Sequence, residues 1–189
     1  MGRPSLADIR RPQLLEAYAS TLVRYGVEGT TLDRVAKQAG VTRGLVRHYL
    51  GNREEVIRAL GDWAREGYLA FMDNVADRYP DDPLAALLAL AGEDQPKELY
   101  AVLDALFAEA GRDASIASVL REVYDAFFRW MVAMLSRGLP DSDLGARQQV
   151  ALALISFGWA DTGFEVIGFQ ASRQRDYRAL AERLIDSLR

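Results

Sequence analysis

The chain has 189 residues, half of them hydrophobic, a formal net charge of −4, no Cys and a single His. This is ample material for a packed core in one or two domains of modest size. It excludes disulfides and thiolate metal sites, and His48 alone supports neither a metal cluster nor paired catalytic machinery, so no metal, cofactor or enzyme activity is expected.

The charge is segregated along the chain. Residues 1–65 hold 11 Lys and Arg against 7 Asp and Glu, a net of +4, and residues 66–189 hold 12 against 20, a net of −8. A basic first third on an acidic remainder points one end of the chain towards a polyanion.

Residues 1–11, MGRPSLADIRR, carry Arg3, Arg10 and Arg11. They read as a basic arm able to reach phosphates or a minor groove, or as a solvated terminus. From Pro12 to Tyr25, Leu14, Leu15, Tyr18, Leu22 and Val23 make a helical stripe, with Pro12 suited to the first turn. Gly26 and Gly29 mark a break, and Thr30 or Thr31 caps a second helix with Asp33 in its positive first turn. Leu32, Val35, Ala36 and Ala39 line one face of that helix, and Gly40 can end it in the left-handed conformation. Thr42 suits the N-cap of a third helix, where Leu45, Val46, Tyr49 and Leu50 repeat the apolar spacing. Two short helices across a Gly-containing turn, with Arg43 and Arg47 early in the second, fit a helix-turn-helix. They also fit a plain helical hairpin with solvated charges, the ordinary reading of such a pattern taken alone.

Asn52 followed by Glu55 resembles a capping box for a long fourth helix at 53–79, carried on by Val56, Ile57, Leu60, Ala64, Phe71 and Val75. The run Tyr79-Pro80-Asp81-Asp82-Pro83 stops it. Further helices are expected at 83–91, 95–110, 114–137, 143–170 and 174–188, with no strands. The expected fold is therefore all-α, about nine helices, with a three-helix DNA-binding domain at 1–52 and a helical ligand-binding and dimerisation domain at 53–189. No secretory signal and no run of about 18 apolar residues is seen, so a soluble cytoplasmic chain without membrane contact is expected.

Residues 30–60, TTLDRVAKQAGVTRGLVRHYLGNREEVIRAL, resemble the DNA-binding region of TetR-type transcriptional repressors. The Thr-Thr cap, the Val-Ala…Ala-Gly-Val-Thr turn, Arg43-Gly44, His48-Tyr49 and Asn52-Arg53-Glu54 carry the likeness. The phrase RGLVRHYLGNREEV is most similar to the choline-responsive BetI-like branch. The resemblance implies a helical homodimer that places two bundles in successive major grooves of a double-stranded operator. It also implies a C-terminal region that binds a small effector and thereby lowers DNA affinity.

On this resemblance the DNA-contacting positions are Thr31, Thr42, Arg43, Gly44, Arg47, His48, Tyr49 and Arg53. Thr42 either bonds a phosphate while capping or caps only. Arg43 and Arg47, four apart on one face, reach either guanine edges or phosphates. His48 and Tyr49 match positions that meet the DNA backbone, and Tyr49 can also pack against the first helix. Arg53 opens the fourth helix, where a cation is poorly placed for the dipole, so a phosphate partner is reasonable. Arg47 departs from the Tyr or small residue of many relatives, and the operator is not carried over with it.

For the effector, Tyr100, Phe107, Tyr124, Phe127, Phe128, Met131 and Trp159, with Asp104 among the polar groups, are candidate pocket residues, or else ordinary core. Asp161 and Glu165 share a helical face and suit a cationic ligand or a solvated rim. Leu154, Phe157 and Gly158, in a helix apolar nearly all round, join Leu184 and Leu188 of the last helix as a candidate dimer interface. The function expected is an effector-released repressor. The rivals are a constitutive DNA-binding protein and a carrier or enzyme on the same fold.

Overall fold

The computed structural model describes residues 6–91, 96–166 and 174–189, of which 6–9, 161–166 and 174–176 are described by backbone alone. Nine α-helices and no strand occur among the described residues: α1 (Leu6–Gly29), α2 (Leu32–Ala39), α3 (Arg43–Leu50), α4 (Arg53–Ala76), α5 (Pro83–Leu90), α6 (Lys97–Ala110), α7 (Ala114–Gly138), α8 (Leu144–Val166) and α9 (Gln174–Asp186). The all-α expectation holds, with ends that shift by a few residues. The largest shift is at the start. α1 begins at Leu6, so Pro12 lies inside the helix rather than in its first turn. Gly26, at φ 68 and ψ 177, breaks the helical path where the sequence placed the end.

The chain divides into two compact units, Met1–Tyr68 with Pro96–Val123, and Leu69–Gln95 with Tyr124–Arg189. That division follows packing, whereas the expected division after residue 52 is one of role.

In the first unit, α1 packs on α2, α3 and α6, and α2 packs on α3. Leu14, Leu22, Val35, Val46, Leu50, Leu60, Leu103, Leu106 and Ile116 are each at most 2% exposed. Removing a Val or Leu side chain from water stabilises by roughly 1.5–3 kcal/mol. These side chains set the position of α3, because its own two buried residues, Val46 and Leu50, are its anchors.

In the second unit α9 packs on α5 and α8, over a core that includes Met72, Leu87, Phe127, Leu135, Val150, Ala151 and Ile185. α5 begins with Pro83 at its first turn and with the Asp82 carboxylate accepting the Ala85 N–H at 2.9 Å. The Tyr177 hydroxyl donates to the Leu154 carbonyl at 2.8 Å, tying α9 to α8. No helix of the described residues is long and apolar enough to cross a membrane.

Candidate nucleic-acid interface

The α2–α3 unit is built by four local devices. Thr31, extended at φ −102 and ψ 152, accepts the Arg34 N–H on its hydroxyl at 3.3 Å and caps α2. Thr30 instead donates its hydroxyl to the Gly26 carbonyl at 2.6 Å, which settles which threonine is the cap. Gly40 is left-handed, φ 65 and ψ 33, and the Val41 N–H reaches back to the Ala36 carbonyl at 3.0 Å, closing α2 in a Schellman turn. Thr42 then accepts the Leu45 N–H on its hydroxyl at 3.4 Å and starts α3.

Beyond α3, Asn52 and Glu55 form the expected reciprocal box. The Asn52 N–H donates to Glu55 Oε2 at 2.7 Å, and the Glu55 N–H donates to Asn52 Oδ1 at 3.0 Å. Gly51 fits here for two reasons. Its φ is 81, and a Cβ there would meet Glu55 Oε2 at 2.1 Å. The capping box thus depends on the glycine beside it.

With Val46 and Leu50 turned into the core, α3 leaves Thr42, Arg43, Gly44, Arg47 and His48 exposed, and Tyr49 half-buried with its ring edge-on to His48 at 4.9 Å. Arg43 and Arg47, with Gly44 and His48, form one strip along the helix. A Cβ at Gly44 would touch nothing within 4 Å, so no packing inside the chain requires glycine there. A glycine within a helix costs roughly 0.5–1 kcal/mol relative to Ala. The position makes sense if a second molecule approaches the backbone closely.

The surrounding cations differ in what already occupies them. Arg34 lies over the Tyr25 ring, 4.5 Å from its centroid, and donates to the Gly29 carbonyl, so it braces the end of α1. Arg11 of α1 donates to the Tyr49 carbonyl at 2.9 Å, satisfying an acceptor in the last turn of α3. Arg53 is 2.7 Å from the Asp113 carboxylate, so the residue expected at a phosphate has a partner within its own unit. Arg43 is 3.0 Å from the Asp33 carboxylate. Arg47 and Lys37 are exposed with no side-chain partner among the described residues.

Asp113 is doubly engaged, since Oδ1 also accepts the Ser115 N–H at 2.9 Å and the Ser115 hydroxyl at 2.6 Å at the start of α7. Hydrogen bonds from Ser115 and Arg53 hold its carboxyl far below the usual aspartate range. Burial pushes the Tyr18 hydroxyl up, partly offset by the charge of Arg53.

An open groove of about 320 Å³ lies between α1, α3 and α4. Its rim mixes Arg11, His48 and Arg58 with Glu55 and Asp62, so it is not a one-sign seat for phosphate. Among the described residues no group of His, Asp and Glu is placed to hold a metal.

Set beside known proteins, residues 14–60 match the family model described as bacterial regulatory proteins, tetR family. The chain is 28% identical over 134 residues to an HTH-type transcriptional regulator BetI of Stenotrophomonas maltophilia, an alignment covering 71% of this chain and 59% of that one. It is 36% identical over 59 residues to the BetI regulator of Paraburkholderia phymatum, covering 31% and 30%. Residues 14–60 thus carry the segment that the tetR family model describes. The chain is similar to regulators named BetI, of which it spans about three-fifths and under one-third of the length in these two cases. The fold is shared with a TetR transcription regulator of Haloarcula marismortui (TM-score 0.77, 18% identity, 95% and 98% of the two chains). It is also shared with a transcriptional regulator of Rhodococcus sp. (TM-score 0.73, 21% identity, 94% and 95%).

The structure gathers Thr31, Thr42, Arg43, Gly44, Arg47, His48 and Tyr49 around α3, with Arg53 at the start of α4. Asp33 was not among the expected site residues, and Arg11, expected in a basic arm, lies in α1 against the end of α3. Their partners lie 10 and 38 residues away in sequence, and helical spacing carries no signal for such pairs.

The effector candidates do not share one unit. Tyr100, Asp104 and Phe107 belong to the first, and Tyr124, Phe127, Phe128, Met131 and Trp159 to the second. Tyr100 is buried with its hydroxyl 3.2 Å from that of Tyr68, Phe107 is 48% exposed, and Phe127 is buried edge-on to Tyr124. The side chains of Asp161 and Glu165 lie outside the described residues, as does Arg3 entirely. Of the dimer candidates, Leu154 and Leu188 are buried in the chain's own core and Leu184 is half-buried. Phe157 is 44% exposed, along with Leu152 at 59%.

Proposed function

We propose that this chain is a DNA-binding transcriptional regulator of the tetR family, a repressor that holds a double-stranded operator as a homodimer and lets go when a small molecule binds. The observation that carries the reading is the exposed strip Arg43, Gly44, Arg47 and His48 on an α3 anchored from behind by Val46 and Leu50. A helix presented in this way fits a major groove, where Arg meets guanine O6 and N7 in two bonds.

The division of roles gives DNA contact to residues 1–52 and effector binding with dimerisation to 53–189. Phe157 and Gly158 on α8, with the half-buried Leu184 of α9, form the two-fold contact in this reading, and Leu154 and Leu188 support them from the chain's own core. For the effector site this reading draws on the candidates of the second unit, Tyr124, Phe127, Phe128, Met131 and Trp159. A role on genomic DNA puts the protein in the cytoplasm. By linkage, effector and operator weaken each other by the same factor.

The test is selection of genomic fragments by the purified protein, followed by sequencing, with Arg43→Ala as the control. Wild type is expected to enrich a palindromic site whose halves lie about one helical turn apart, roughly 34 Å, or a multiple of it. The variant is expected to lose that enrichment while keeping its oligomeric state. Random fragments recovered by both proteins would overturn the proposal.

A further inference from the structure

Arg43 opens α3, where a cation meets the positive end of the helix dipole and gains nothing from the backbone. Asp33 lies in the first turn of α2, where the same field favours its negative charge. The two meet at 3.0 Å through a single guanidinium nitrogen, Nη1, with the side chains 62% and 68% exposed. A surface pair of this kind contributes little to stability, so its stability does not explain it. Its geometry has a different effect. The short carboxylate side chain, seated on the capped end of α2, holds one side of a long and otherwise mobile guanidinium. Guanidinium has five N–H donors in a rigid fork, and most of them stay open.

The same carboxylate decides between the two targets available to Arg43. A phosphate approaching the guanidinium would meet the negative charge of Asp33 beside it, a repulsion that a neutral base edge does not suffer. A guanine edge offers two acceptors and no net charge.

We propose that Asp33 is a positioning residue for sequence reading: it orients Arg43 and steers that arginine from phosphate to a guanine edge. The inference rests on the DNA-binding reading above and deepens it. Arg47, without a carboxylate partner among the described residues, is under no such constraint. Two arginines on one helical face thereby take different tasks.

The test uses the full chain and the operator found by genomic selection, together with duplexes carrying each single base-pair change. Wild type, D33N, D33E, R43A and the D33N/R43A pair are compared by titration, with circular dichroism to check that each keeps its helix content. D33N is expected to lose about tenfold in discrimination at the same base pair that R43A affects. D33E, which keeps the charge, is expected to retain most of it, and the double variant is expected to match R43A alone. Tighter binding of D33N to every duplex by one common factor would overturn the proposal, because Asp33 would then only repel the backbone. Loss of preference at a base pair that R43A leaves intact would also overturn it, because Asp33 would then read a base itself. A wild-type chain that is folded yet prefers no sequence would overturn the regulator reading and this inference with it.

Discussion

Arg53, the first residue of α4, donates to the Asp113 carboxylate across 2.7 Å while the other oxygen of that carboxylate caps α7. One side chain therefore satisfies the orphan N–H groups of a helix start and a cation from a distant helix start at once. A carboxyl held below its ordinary pKa of about 3.9 stabilises the fold fully above that value. The contribution fades as pH falls from there towards the lower folded-state value. Asp113→Asn is expected to lower the thermal midpoint at pH 7, with the gap to wild type closing progressively below pH of about 4. A gap that stays constant down to pH of about 3 in paired melts would show that the charge of Asp113 is immaterial.

Arg47 is exposed and unpartnered among the described residues, which suits a bond to the DNA backbone. Removing one cation from a phosphate makes the slope of log affinity against log salt shallower by about 0.9. Arg47→Ala is expected to show that change on operator and scrambled duplex alike. Titrations at several salt concentrations decide it, and an unchanged slope with weakened sequence preference would assign Arg47 to a base instead.

Gly44 has open space where a Cβ would stand. Gly44→Ala is expected to stabilise the fold by up to about 1 kcal/mol, since Ala is the better helix former. The same methyl is expected to weaken operator binding by keeping the backbone away from the groove. The two outcomes are read by thermal melting and by DNA titration, and an Ala variant that binds as tightly as wild type would remove Gly44 from the interface.

Leu50 is 1% exposed and is one of the two residues that anchor α3. Leu50→Ala is expected to cost about 2–5 kcal/mol through reduced burial and the cavity left behind. Denaturant unfolding measures it. A cost under about 1 kcal/mol would mean that α3 is held mainly by neighbours other than this leucine.

Much of the α2–α3 region was legible because its signals are local. Thr31, Gly40, Thr42 and the Asn52–Glu55 box each act within five residues, and all four stand in the structure where spacing placed them. Pairings between helices were not legible. Asp33 read as a charge suited to the start of α2, and nothing in its neighbourhood pointed to Arg43 on the next helix. Arg53 read as free to meet a phosphate because its partner lies 60 residues away. In the C-terminal region, stripes such as Tyr124, Phe127 and Met131 look the same whether they fill a core or line a pocket. Periodicity reports that a face is apolar and is silent about what covers it.

The packing of α6 against α1 has a practical consequence for anyone who wishes to transplant the α1–α3 segment. A fragment ending at residue 52 would carry α1 with one flank stripped of the helix that shields it, and the exposed leucines would favour clumping over folding. The portable piece is discontinuous: residues 1–68 together with 96–123, brought along as one graft. A chimera that joins α1–α3 to a foreign helical region at a single seam would have to supply a substitute for α6, or inherit a segment that no longer stands on its own footing.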